Sequence, residues 1–136
     1  MTIKLYRTIL LVSFVLGIIA MVVGAASTAA LPLELREYRE RALQNPPMWI
    51  VVVGLLAFVG GIVSLIGLWM LQRWARTLYL TLLIAGVGIV PFAGPYVEGG
   101  LSYALYALAN LIGGTIVALS YWSPISARFE AAPVAA

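Results

Sequence analysis

The apolar run that ends at Leu71 is separated from the next, starting at Thr77, by only Gln72, Arg73, Trp74, Ala75 and Arg76. An arginine costs about 2.5–3.5 kcal/mol at the centre of a membrane, so two of them in five residues must reach a headgroup layer, and the chain must turn back there. Trp74 suits the same layer, where an indole buries its ring and keeps its N–H wet. Arg73, Trp74 and Arg76 are therefore read as headgroup anchors that fix the topology of a membrane bundle.

Composition excludes a soluble fold. The 136 residues are 63% hydrophobic and 10% charged, whereas soluble domains carry about 25% charged residues. The length accommodates about four helices of about 20 residues with short connections. The net charge of +3 is spread singly over the ends of apolar runs, which anchors a chain to membrane headgroups and does not build the basic face that nucleic acid requires. Cysteine, histidine and aspartate are all missing. Thiolate chemistry, imidazole ligation of metals or haem, and triads or dyads built on these residues therefore cannot be assembled. No catalytic residue, cofactor site or metal site is expected, and no enzyme.

Lys4 and Arg7 precede a charge-free stretch over residues 8–33, read as the first transmembrane helix at about 8–31. Its small residues Ala25, Ala26, Ser27, Thr28, Ala29 and Ala30 would suit signal peptidase. The apolar stretch is longer than the usual ~7–15 residues of a signal core, so retention is expected. Segment 32–45 alternates Glu34, Arg36, Glu37, Arg39, Glu40 and Arg41. Leu31, Leu35, Tyr38 and Ala42 draw one apolar stripe, which predicts a short amphipathic helix on the membrane, with Glu37 and Arg41 in the favourable i, i+4 order. Asn45, Pro46 and Pro47 end it.

The remaining spans are placed at about 48–71, 75–92 and 100–122. Trp49 and Trp69 bracket the second, Pro91, Gly94 and Pro95 disturb the far end of the third, and the tail over 123–136 has no pattern long enough to order. Four spans put Lys4, Arg7, Arg73, Arg76 and Arg128 on one side and Arg36, Arg39 and Arg41 on the other. Lys/Arg bias makes the richer side cytoplasmic, with both termini inside.

Small residues recur at helical spacing in three spans: Ser13, Gly17, Ala20, Gly24 and Ser27; Gly54, Ala57, Gly61 and Ser64; Thr77, Thr81, Ala85 and Gly88. Apolar helices in lipid associate through close backbone contact, so all three stripes are expected to face the bundle axis. The fourth span carries the intramembrane polar signal, with Tyr103, Tyr106, Asn110, Gly114 and Tyr121 sharing a face. An unpaired amide near the helix middle would cost several kcal/mol, so Asn110 is expected to bond across the bundle to a hydroxyl such as Ser13, Ser64 or Thr81. Glu98 is a boundary carboxylate, either a proton or cation site or a solvated loop residue.

The number of spans resembles that of small multidrug exporters, which carry an essential glutamate inside the first helix; residues 8–33 have none, so no function is carried over. The Arg73-Trp74-Ala75-Arg76 hairpin is similar to those of four-span bacterial membrane proteins, which implies a bacterial inner membrane and nothing about activity. With no reactive residue, the expected role is a small structural or accessory membrane protein. It would act through contact with lipid, another membrane protein or itself. The alternative is a small transporter or channel for a neutral or lipid-like solute, lined by the Tyr103, Tyr106 and Asn110 face.

Overall fold

In the computed structural model, residues 2–27, 31–44, 46–92 and 97–131 are described, without the side chains of residues 42, 43 and 131. The small residues Thr28 to Ala30, the breaks at Asn45 and at Gly94 and Pro95, the Ala42 side chain and the tail beyond residue 131 lie outside them. Among the described residues the chain is all-helical: α1 Ile3–Ala26, α2 Leu33–Gln44, α3 Met48–Trp69, α4 Arg73–Ile89, α5 Gly100–Trp122 and α6 Ser126–Ala131. Four of these, α1, α3, α4 with the 3-10 turn Val90–Phe92 that follows it, and α5, are long and apolar enough to cross a membrane. The protein is an integral membrane bundle of four spans, with α2 as a short helix between the first two.

The spans pack as two antiparallel pairs, α1 along α5 and α3 along α4, joined by a lighter contact between α4 and α5. The pairs meet at one end. Tyr6, Leu10, Leu68, Ala75, Ile116, Ile125 and Phe129 form the buried core there, so the start of α1, the α3–α4 hairpin, the end of α5 and α6 all converge at what is called here the hairpin end. Elsewhere the helices are sheathed in exposed aliphatic side chains, as a lipid solvent requires.

The hairpin closes on a left-handed leucine. Leu71 has φ 59°, its N–H bonds the Leu68 carbonyl at 3.1 Å, and the Gln72 N–H bonds the Gly67 carbonyl at 2.9 Å. This pair of bonds is the Schellman termination that usually recruits glycine. Leucine accepts the steric cost of about 1–2 kcal/mol there while its side chain packs on the core. The chain can fold back so tightly because Gly67 has no side chain: a Cβ there would lie 2.5 Å from the Ala75 Cβ and 2.9 Å from the Trp74 ring.

The small-residue stripes divide on inspection. On α1, Ala20 and Gly24 are buried, as spacing predicts, although a Cβ at Gly17 would meet nothing within 4 Å. On α3 the stripe is right at Ser64, which is buried, and misplaced elsewhere. Gly54 and Gly61 have open space beside them, and the packed face runs instead through Gly60, Ser64, Gly67 and Leu68. On α4, Thr77, Thr81, Ala85 and Gly88 all face outward, while Ala75, Tyr79 and Leu82 make the inner contacts. Periodicity finds a face, but in lipid both faces are apolar, so it does not say which of them points inward.

The tail also departs from expectation. Ile125 and Phe129 are buried, with the Phe129 ring edge-on to Tyr6 at 6.0 Å. Arg73 donates to the carbonyls of Phe129 at 3.2 Å and Glu130 at 2.6 Å, and Arg76 reaches the Glu130 carboxylate at 3.9 Å. A cation on the last carbonyls of so short a helix satisfies groups that have no partner within it.

Gly67→Ala should lower the melting temperature in mild detergent, by the equivalent of about 1–3 kcal/mol for forcing a methyl into a filled contact. Gly61→Ala, in open space, should leave it unchanged. Equal melting of both variants would show that the α3–α4 approach is loose.

Candidate functional site

At the far end of the bundle, a polar cluster is built where α1 and α5 run closest. Gly24 permits it: a Cβ there would stand 3.0 Å from Ser102 Oγ, 3.7 Å from Glu98 Oε1 and 3.8 Å from Tyr106 Oη. Ser102 is fully buried and donates its hydroxyl to the Glu98 carboxylate. Glu98 stands just before the first turn of α5, where a negative charge is favoured by the helix dipole. From α2, Arg39 reaches back to the Gly24 carbonyl, at 3.4 Å from Nη2 and 3.5 Å from Nη1. That carbonyl belongs to the last turn of α1, where a cation is favoured, and Ser27 donates to it as well, at 3.2 Å.

Glu98 is therefore half-buried within a network and is not simply a solvated turn residue. The cluster gathers three segments, the ends of α1 and α5 and the connector α2, around the Gly24 carbonyl and the Ser102–Glu98 bond. Ser102 could have been found from its i+4 spacing to Glu98, but Arg39 has no local signal, since its contact depends on how α2 folds back. The other described side chains of α2 are exposed. Arg36 pairs with Glu40 and Arg41 with Glu37, each at 3.0 Å, and Leu33, Leu35 and Tyr38 are uncovered by protein, which leaves an apolar side for the membrane surface.

The tyrosine face of α5 does not stay together. Tyr106 turns toward the cluster, whereas Tyr103 is 69% exposed and Asn110 and Gly114 are exposed. Asn110 makes no side-chain hydrogen bond among the described residues, which corrects the expectation that it ties the bundle together. The hydroxyls considered as partners are placed otherwise. Ser64 donates to the Gly61 carbonyl at 2.8 Å and Thr81 to the Thr77 carbonyl at 2.9 Å, while Ser13 is half-buried on α1. Tyr121 lies near the hairpin end, its hydroxyl 3.4 Å from that of Thr77.

The anchors Arg73, Trp74 and Arg76 sit together at the hairpin end. Trp74 is half exposed, and Arg76 lies over the Tyr121 ring at 4.9 Å and the Phe129 ring at 5.8 Å. A third basic residue, Arg7, joins that layer, with its guanidinium 5.1 Å over the Trp69 ring and its Nη2 3.3 Å from the Trp69 carbonyl. Between α1 and α3, below Arg7, opens an apolar groove of about 260 Å³ lined by Leu10, Leu11, Phe14, Ile62, Leu65, Ile66 and Trp69. Among the described residues no three potential metal ligands come together. No protein-family model, curated protein or solved structure matches the chain.

If Arg39 is the clasp between the connector and α1, Arg39→Met should release α2 and leave the spans intact. Limited trypsin digestion checks this: cleavage after Arg36 and Arg41 should be markedly faster in the variant, with unchanged helical content by circular dichroism. Identical digestion rates would mean that α2 is held by the membrane surface alone.

Proposed function

We propose that this chain is a small structural or accessory protein of a bacterial inner membrane, with both termini and the α3–α4 hairpin in the cytoplasm, acting by contact with another membrane protein or with itself. The observation that carries the reading is Asn110, a carboxamide near the middle of α5 that faces out of the bundle and has no hydrogen-bond partner among the described residues. Hydrocarbon offers an amide no partner, and leaving it unpaired there costs several kcal/mol. Ala107, Gly114 and Ala118 are exposed beside it, and nothing lies within 4 Å of a Cβ at Gly114. A helix from another chain can approach closely along this line and supply the missing bond.

Orientation rests on the five basic residues at the hairpin end against three in α2, the richer side being retained in the cytoplasm. Single cysteines are clean probes, since the chain has none. Cysteines at Thr2 and Gln72 should react with a membrane-impermeant maleimide only from the cytoplasmic side, and one at Gln44 only from the other. Labelling of Gln72 and Gln44 from the same side would break the four-span topology.

For association, Gly114→Cys should form a disulfide or cross-link to its neighbour in native membranes, and adding Asn110→Leu should abolish it. The melting temperature should hardly change, because no bond within the chain is lost. Cross-linking that persists after Asn110→Leu refutes the role of the amide. Solute flux through reconstituted liposomes that stops with Asn110→Leu would replace the accessory reading with transport.

A further inference from the structure

We infer that the groove between α1 and α3 is a binding site for an anionic phospholipid, one acyl chain lying against Leu10, Phe14, Ile62 and Ile66 and the headgroup phosphate meeting Arg7 and Lys4. This rests on the reading of the chain as a membrane-contact protein, but uses none of the residues of the α5 association face, so the two stand or fall separately. Three observations converge on it. The groove is almost purely apolar, and none of its lining residues belongs to the polar cluster. Trp69 lines it, and the Arg7 guanidinium stacks over that ring at 5.1 Å. Arg7 is also only partly used: its Nη2 serves the Trp69 carbonyl, and no carboxylate pairs with it among the described residues.

The physics selects the headgroup and not the tail. Any lipid tail is as apolar as this groove, so occupancy by hydrocarbon brings no discrimination. A phosphodiester with net negative charge differs from a zwitterionic one at the headgroup level, where Arg7 offers a planar fork for bidentate phosphate contact. Lys4 lies one turn earlier on the same helix and is exposed, which places a second cation at that depth. Glu130 is paired with Arg76, and the described acidic residues 34, 37, 40 and 98 all belong to the far end or to α2, so no carboxylate there competes for Arg7. Basic residues between membrane helices at this level recognise anionic headgroups in just this way.

The test uses the full chain in mild detergent, offered an equimolar mixture of dioleoylphosphatidylglycerol and dioleoylphosphatidylcholine, with retained lipid read by native mass spectrometry. Wild type should retain the phosphatidylglycerol preferentially. Arg7→Gln and Lys4→Gln should each lower that preference by about fivefold, the effect of one basic residue at a membrane surface. Ile62→Trp, which fills the groove, should lower retention of both lipids, while Arg128→Gln on exposed α6 should change nothing. Equal retention of the two lipids by wild type overturns the proposal. So does an unchanged preference in Arg7→Gln, or in Lys4→Gln should the first variant fail to fold. An equal fall in Arg128→Gln overturns it too, because surface charge as a whole would then explain the selectivity. A cross-link between copies through Phe14→Cys would put a second chain in the groove instead.

Discussion

Two guanidinium groups that cannot enter hydrocarbon hold one end of this protein together. Arg73 and Arg76 must stay at the headgroup layer, and from there they gather what surrounds them: the carbonyls and carboxylate of α6, and the rings of Tyr121 and Phe129. The clustered hydrophobic core forms under that lattice. In water, apolar burial would drive all four spans together along their length. In lipid that drive is absent, so the helices adhere where glycine allows contact and where polar groups at the ends need one another, and they part in between.

The opposite end obeys the same rule with the signs distributed differently. Ser102 bonds Glu98 beside Gly24, and Arg39 bonds the terminal carbonyl of Gly24, fixing α1 to α5 and clasping the connector. Beside the hairpin end, α1 and α3 touch only lightly and leave the groove open. The structure is thus pinned at its polar layers.

The four spans, the amphipathic connector and the hairpin were legible because they depend on the cost of charge in hydrocarbon, which is read residue by residue. Which way each span turns was not. The stripe through Thr77, Thr81, Ala85 and Gly88 has the same spacing as a packing face and points outward. Ile125 and Phe129 gave no periodic signal in so short a segment, and their burial depends on Arg73, more than 50 residues away. Asn110 was recognised as a group that must be paired, but the inference that its partner lies within the same chain does not follow. A carboxamide at that depth is equally served by another molecule.

The pairing of α1 with α5 also sets an order in time. α3 and α4 are neighbours in sequence and can close their hairpin as soon as both have emerged, whereas α1 enters the bilayer first and waits for the last span before it meets its principal contact. At synthesis rates of about 5–20 residues per second that interval is several seconds. During it the glycine and serine edge of α1 faces lipid or whatever machinery inserts the chain. The first helix in is the last to be packed, so a chain interrupted before α5 would leave an assembled hairpin beside an orphaned helix.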